Sequence, residues 1–98
     1  MVMIVLVTYD VSTLDKAGRR RLRHVARACK DSGVRVQYSV FECRLTKAQW
    51  TALRLRLLDT MNEKEDSLRF YFIDDDAADR TEHHGLREPV DLEGPLFA

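Results

Sequence analysis

The run Met3-Ile4-Val5-Leu6-Val7-Thr8-Tyr9-Asp10 decides the fold. It alternates Ile4, Leu6 and Thr8 with Met3, Val5 and Val7, so neither parity is strongly polar; such a strand sits centrally in a sheet, covered on both sides. It then ends on a carboxylate. A central strand that delivers Tyr9 and Asp10 to its C-terminal end puts an acid at the rim of a sheet, where α/β proteins place much of their chemistry. The plainer alternative is that Asp10 opens a turn, with Ser12, Thr13 and Asp15 completing it or capping a following helix.

Beyond that turn, Leu22, Val25, Ala26 and Cys29 recur at i, i+3, i+4 and i+7, which predicts a helix with one buried stripe, ending near Gly33. Its opposite face is basic: Lys16, Arg19, Arg20, Arg21, Arg23, Arg27 and Lys30 are seven of the sixteen cations in the chain. A solvated helix face is usually mixed in sign, so this excess points to a polyanion as partner, against the alternative of an ordinary wet surface. From Val34 to Leu45 the sequence is β-rich, with Val34, Val36, Tyr38 and Val40 on one parity and Phe41, Cys43 and Leu45 on the other. The change of parity predicts two strands joined near Tyr38 and Ser39.

Thr46 with Gln49 forms a capping box, and Leu45 with Trp50 the matching hydrophobic staple, so a second helix begins there. Trp50, Leu53, Leu57, Leu58 and Met61 make its buried stripe, and Asn62 ends it. Ser67 to Ile73 is the next strand, with Leu68, Phe70 and Phe72 on one face and Arg69, Tyr71 and Ile73 on the other. The order βαββαβ predicts an α+β, ferredoxin-like domain with both helices on one face of an antiparallel sheet. Its open face is expected to carry further apolar rows, Phe41 and Cys43 among them, and a second copy of the chain is the simplest cover.

Ninety-eight residues make one domain that buries about two thirds of its unfolded surface. The formal net charge is zero, but the distribution is not even. Residues 1–58 hold twelve bases and four acids, a balance of +8, and residues 59–98 hold four bases and twelve acids, a balance of −8. A polyanion responds to the local field, so neutrality of the whole does not exclude a nucleic-acid partner. Cys29 and Cys43 form no CxxC pair and fall at apolar positions, as reduced core thiols do. The apolar start lacks a basic flank and is too short to span a bilayer, which predicts a cytoplasmic protein with no membrane association. In the tail, Asp74, Asp75, Asp76 and Asp79 lack the glycine and glutamate of a calcium loop. His83 and His84 would face opposite ways on a strand, which argues against a shared metal. Val90, Leu92, Leu96 and Phe97, among Pro89 and Pro95, read as anchors of an extended C-terminal segment.

Three stretches carry a resemblance over essentially the whole length: Thr8-Tyr9-Asp10-Val11, Arg21-Leu22-Arg23-His24-Val25, and above all Arg35-Val36-Gln37-Tyr38-Ser39-Val40-Phe41-Glu42-Cys43. Glu82-His83-His84-Gly85 and Asp91-Leu92-Glu93-Gly94-Pro95-Leu96 extend it into the tail. The chain resembles the small CRISPR-associated adaptation proteins, the second of the two universal proteins of that system. The resemblance implies a ferredoxin-like domain over residues 1–80, and a C-terminal strand near Thr81 to His84 within an 81–98 tail that pairs with the partner in a homodimer. It implies that Asp10 faces its symmetry mate and binds magnesium, and that Tyr9, Asp10, Arg23, Arg35 and Phe41 serve catalysis. Arg21, Arg23 and Ser39 fall on its nucleic-acid-contact positions; Arg27, like Arg19 and Arg20, is added from the basic face. The implied function is spacer acquisition with the larger adaptation integrase, with metal-dependent endonuclease activity on RNA or DNA.

One Asp10 is a poor magnesium site and two across a dimer axis an adequate one, with Arg23 or Arg35 assisting at the scissile phosphate. No residue stands out as a general base. The rival reading is a non-catalytic DNA-binding adaptor, in which the basic helix grips phosphates and the dimer bridges integrase subunits.

Overall fold

The computed structural model describes residues 2–73 together with 82 and 84. The elements are β1 (Val2–Asp10), α1 (Lys16–Ser32), β2 (Val34–Gln37), β3 (Val40–Thr46), α2 (Lys47–Thr60) and β4 (Ser67–Ile73). This is the βαββαβ order read from the sequence. The strands form one antiparallel sheet in the order β2-β3-β1-β4, with β1 central, and both helices pack on one face.

Register explains why the chain buries the rows it does. Val7 pairs with Phe41 and Phe70, and Val5 with Cys43 and Phe72, so one parity of three strands is apolar together. That parity meets Val25, Ala28 and Cys29 of α1 and Trp50, Leu53 and Leu57 of α2 in a single core. Phe41, Leu57 and Val25 are fully buried, which stabilises the fold by about 1.5–3 kcal/mol apiece. Trp50 closes the β4 side with edge-on contacts to Phe70 and Phe72, at 4.8 and 5.5 Å between ring centroids.

Three expectations change. Phe41 and Cys43 face the helices, because they pair with Val7 and Val5; the open face carries Val40, Glu42 and Arg44 instead. The apolar residues of that face include Leu6, Val34, Val40 and Ile73, half-buried, and Ile4, which is buried, with Tyr71 exposed beside them. In α1, Leu22 and Ala26 are half-buried at the margin, and Ala28 takes the central place. Gly33 ends α1 with extended backbone, φ −160°, and not with a left-handed cap. Glycine is needed there for close approach: a Cβ would lie 2.4 Å from Cys43 Sγ and 2.6 Å from the Glu42 carbonyl oxygen.

Other local expectations hold. Asp15 caps α1 by accepting from Gly18 N at 2.7 Å, and Thr46 and Gln49 form the complete capping box of α2. The β2–β3 turn falls at Tyr38 and Ser39, preceded by a register shift between Arg35 and Gln37. No described helix is long and apolar enough to cross a membrane. The C-terminal strand and tail, with the acidic run at Asp74 and His83, lie outside the described residues. Of that segment, His84 Nε2 lies 3.2 Å from Glu82 Oε2, both exposed.

Candidate nucleic-acid interface and acidic rim

Arg23, Arg27 and Lys30 project from the middle and last turns of α1 toward β2, the short edge strand. There they meet Arg35 and line one groove, floored by Ala26 and closed by Asp31. Asp31 also lies toward α2, where it accepts from Arg56 Nη1 at 3.1 Å. Four positive charges around one open groove suit a phosphodiester chain.

Arg35 is the best fixed of the four. It pairs across the ladder with Phe41, and its guanidinium lies over the Phe41 ring, 5.0 Å from the centroid. Phe41 in turn stacks on Tyr9 at 6.2 Å, and Tyr9 donates its hydroxyl to the Tyr38 carbonyl at 3.1 Å. Burial pushes the Tyr9 phenol above its ordinary value and the nearby Arg35 guanidinium works against this, so Tyr9 stays a neutral donor. Phe41 has no exposed surface and Tyr9 almost none. The two rings lie beneath the turn: Tyr9 holds it through the Tyr38 carbonyl, and Phe41 seats the Arg35 guanidinium. Ser39 serves the same turn by accepting from Tyr9 N at 3.1 Å.

Asp10 is elsewhere. Val5, Val7 and Tyr9 face the helices, so Ile4, Leu6, Thr8 and Asp10 face the open side of the sheet. Asp10 is exposed at the rim, opposite Ser67. Arg23 and Arg35 therefore lie on the helix side of the sheet and Asp10 on the other. The cation nearest to it in register is Arg69, opposite Thr8 on the same face, which the sequence reading passed over. Arg69 donates to the Tyr71 hydroxyl at 3.0 Å and lies over that ring.

Arg21 differs from its neighbours on α1. It is committed to Asp66, with Nε to Oδ2 at 2.8 Å and Nη2 to Oδ1 at 3.3 Å, and to Glu65 at 3.0 Å. Arg21 is thus placed against Asp66 and Glu65, apart from the groove that Arg23, Arg27 and Lys30 line. Asp66 also accepts from Ser12 N at 3.1 Å and Asn62 N at 2.9 Å. Burial alone would raise its carboxyl, but the hydrogen bonds from Arg21, Asn62 and Ser12 outweigh that and hold it below the ordinary 3.8. Both oxygens are saturated, so Asp66 offers no lone pair to a metal. Arg19 and Arg20 are exposed on the first turns of α1, outside the groove; Arg19 reaches the Thr13 carbonyl at 3.4 Å.

Among the described residues, no group of three or more His, Cys, Asp or Glu is placed to hold a metal. Cys29 and Cys43 are buried free thiols, pushed up to about 12 and about 11 by burial, and take no part in acid-base work near neutrality.

Fold and site together define a small ferredoxin-like domain with a cationic groove along one edge and an exposed carboxylate, Asp10, at the rim of the opposite face. The sequence profile of the family described as CRISPR associated protein Cas2 matches residues 3–81, and the chain belongs to that family. It is 57% identical to the CRISPR-associated endoribonuclease Cas2 of Chlorobaculum tepidum, over 97% of this chain and 99% of that one. It is 47% identical to the CRISPR-associated endonuclease Cas2 of Halalkalibacterium halodurans, over 97% and 99%. The crystal structure of Streptococcus pyogenes Cas2 superposes with a TM-score of 0.75 at 52% identity, covering 85% of this chain and all of that one.

Proposed function

We propose that the protein acts in CRISPR spacer acquisition as a cytoplasmic homodimer that binds nucleic acid and cleaves phosphodiester bonds in RNA or DNA with magnesium, beside a larger adaptation integrase. Its relatives are named endoribonucleases and endonucleases. The observation that carries the catalytic part is the isolation of Asp10. It is an exposed, hard oxygen donor without an ion pair among the described residues, and Asp66, the residue before its ladder partner Ser67, is saturated by four hydrogen bonds. A magnesium ion held by one or two carboxylates needs a second acid, and Asp10 of a second copy supplies it if the open faces pair. When bound, the ion neutralises charge on a phosphate oxygen and acidifies a coordinated water. The chain's own part is to present Asp10 at a fixed rim and to hold the polyanion by Arg23, Arg27, Lys30 and Arg35.

The test is cleavage of a short RNA by purified protein with and without magnesium. Asp10→Ala is expected to abolish the magnesium-dependent cleavage; survival of that activity refutes the assignment. The placement of the four groove cations on the far side of the sheet favours a second reading, an adaptor that grips phosphates and bridges integrase subunits without cutting. Under it, Asp10→Ala supports spacer acquisition at the wild-type level, whereas a required nuclease does not.

A further inference from the structure

We infer that Asp66 is a positioning residue for Asp10, acting through the Ser12 amide to fix the chain that leaves the acidic rim. This rests on the proposal that Asp10 is the catalytic acid. Asp66 is the one buried charged residue among those described, and its carboxylate joins three segments. It takes the Ser12 N–H on the turn after β1, the Asn62 N–H at the end of α2, and the Arg21 guanidinium from α1. Ser67, the next residue, is the ladder partner of Asp10. The backbone before Asp10 is thus held by β3 and β4, and the backbone two residues after it by Asp66.

The turn is tight on its other side as well. A Cβ at Gly18 would lie 2.0 Å from the Ser12 carbonyl oxygen, so the first turn of α1 packs directly on this loop. Ser12 is therefore held at its N–H by Asp66, and its carbonyl lies close against the first turn of the helix. With Ser12 released, the rim relaxes and the Asp10 carboxylate loses its fixed direction. Misplacement of a reacting group by about 1 Å costs on the order of a hundredfold in rate. Asp66 itself touches no substrate: it points to the helix side, and Asp10 to the open side.

The test compares wild type, Asp66→Ala and Asp66→Asn with Thr46→Ala, which loses the remote α2 capping box and serves as a destabilised control. Two readouts are taken well below each unfolding temperature: hydrogen exchange at the Ser12 amide, and kcat and KM for magnesium-dependent RNA cleavage. The expected result for Asp66→Ala is Ser12 protection reduced more than tenfold while Val5 in β1 is unchanged, kcat reduced at least tenfold, and KM within twofold. Asp66→Asn, which keeps an acceptor for the Ser12 N–H, falls between the two on both readouts and decides the matter if the alanine variant does not fold. Thr46→Ala keeps wild-type kcat. The inference is overturned if Ser12 protection survives in Asp66→Asn and Asp66→Ala, or if kcat falls no further than in Thr46→Ala. If wild type shows no Asp10-dependent cleavage, the catalytic proposal fails by itself, and the strut stands or falls on the exchange data.

Discussion

Arg21 and Arg23 are two residues apart on a basic helix and do different work. Arg23 points into the groove with Arg27, Lys30 and Arg35, while Arg21 turns to Asp66 and Glu65 and pins α1 to the approach of β4. Composition counts both as cations of one face; only the position of Asp66, forty-five residues away, separates them. The same carboxylate makes a pH prediction. Its folded value lies below the unfolded 3.8, so its contribution to stability is complete above that value and is lost as pH falls through the folded one. In urea unfolding at a series of pH values, Asp66→Asn should be less stable than wild type near neutrality, and the gap should close as pH falls below 3.8. A gap that stays constant over that range means that the charge on Asp66 contributes nothing to the fold.

At the scale of elements, strand and helix limits were readable because each rests on short-range signals: the Asp15 cap, the Thr46 and Gln49 box, and the parity change around Tyr38 and Ser39. Which face each parity of β3 would take was not readable. That choice is made by pairing with β1, and Phe41, Cys43 and Leu45 follow Val7, Val5 and Met3 into the core. Asp10 was legible as the end of an apolar strand, but its separation from Arg35 was not, because it depends on the same register. Gly33 shows the point in small. A glycine at a helix end suggests a left-handed cap, yet here the backbone is extended and the demand is for space against Cys43 and the Glu42 carbonyl. Gly33→Ala should therefore cost about 1–3 kcal/mol in chemical denaturation, from overpacking at the α1–β3 contact. An unchanged midpoint would mean that the two elements separate at little cost.

For the molecule as a whole, the sheet separates the groove cations from Asp10 on its two faces. The helix side holds the groove cations at the β2 edge, seated through Arg35 on Phe41 and Tyr9, and the open side holds Asp10 with Arg69 and Tyr71 along β4. Under the proposed function, a chain built this way binds its polyanion independently of its acid, and pairing of open faces would bring two acids together without disturbing either groove. The neutral sum of charges is then a poor guide to partners, since the field near α1 and β2 is set by a local excess of cations.

The most direct measurement of that division is the salt dependence of binding to a short single-stranded RNA, without magnesium, for wild type, Asp10→Ala and the double variant Arg23→Glu/Arg27→Glu. Asp10→Ala should bind within twofold of wild type with the same slope of log K against log salt. The double variant should lose at least tenfold in affinity and about 1.4 or more from the slope, the share of two phosphate contacts on a single strand. A slope that the arginine reversals leave unchanged, or that falls with Asp10→Ala alone, would contradict the account.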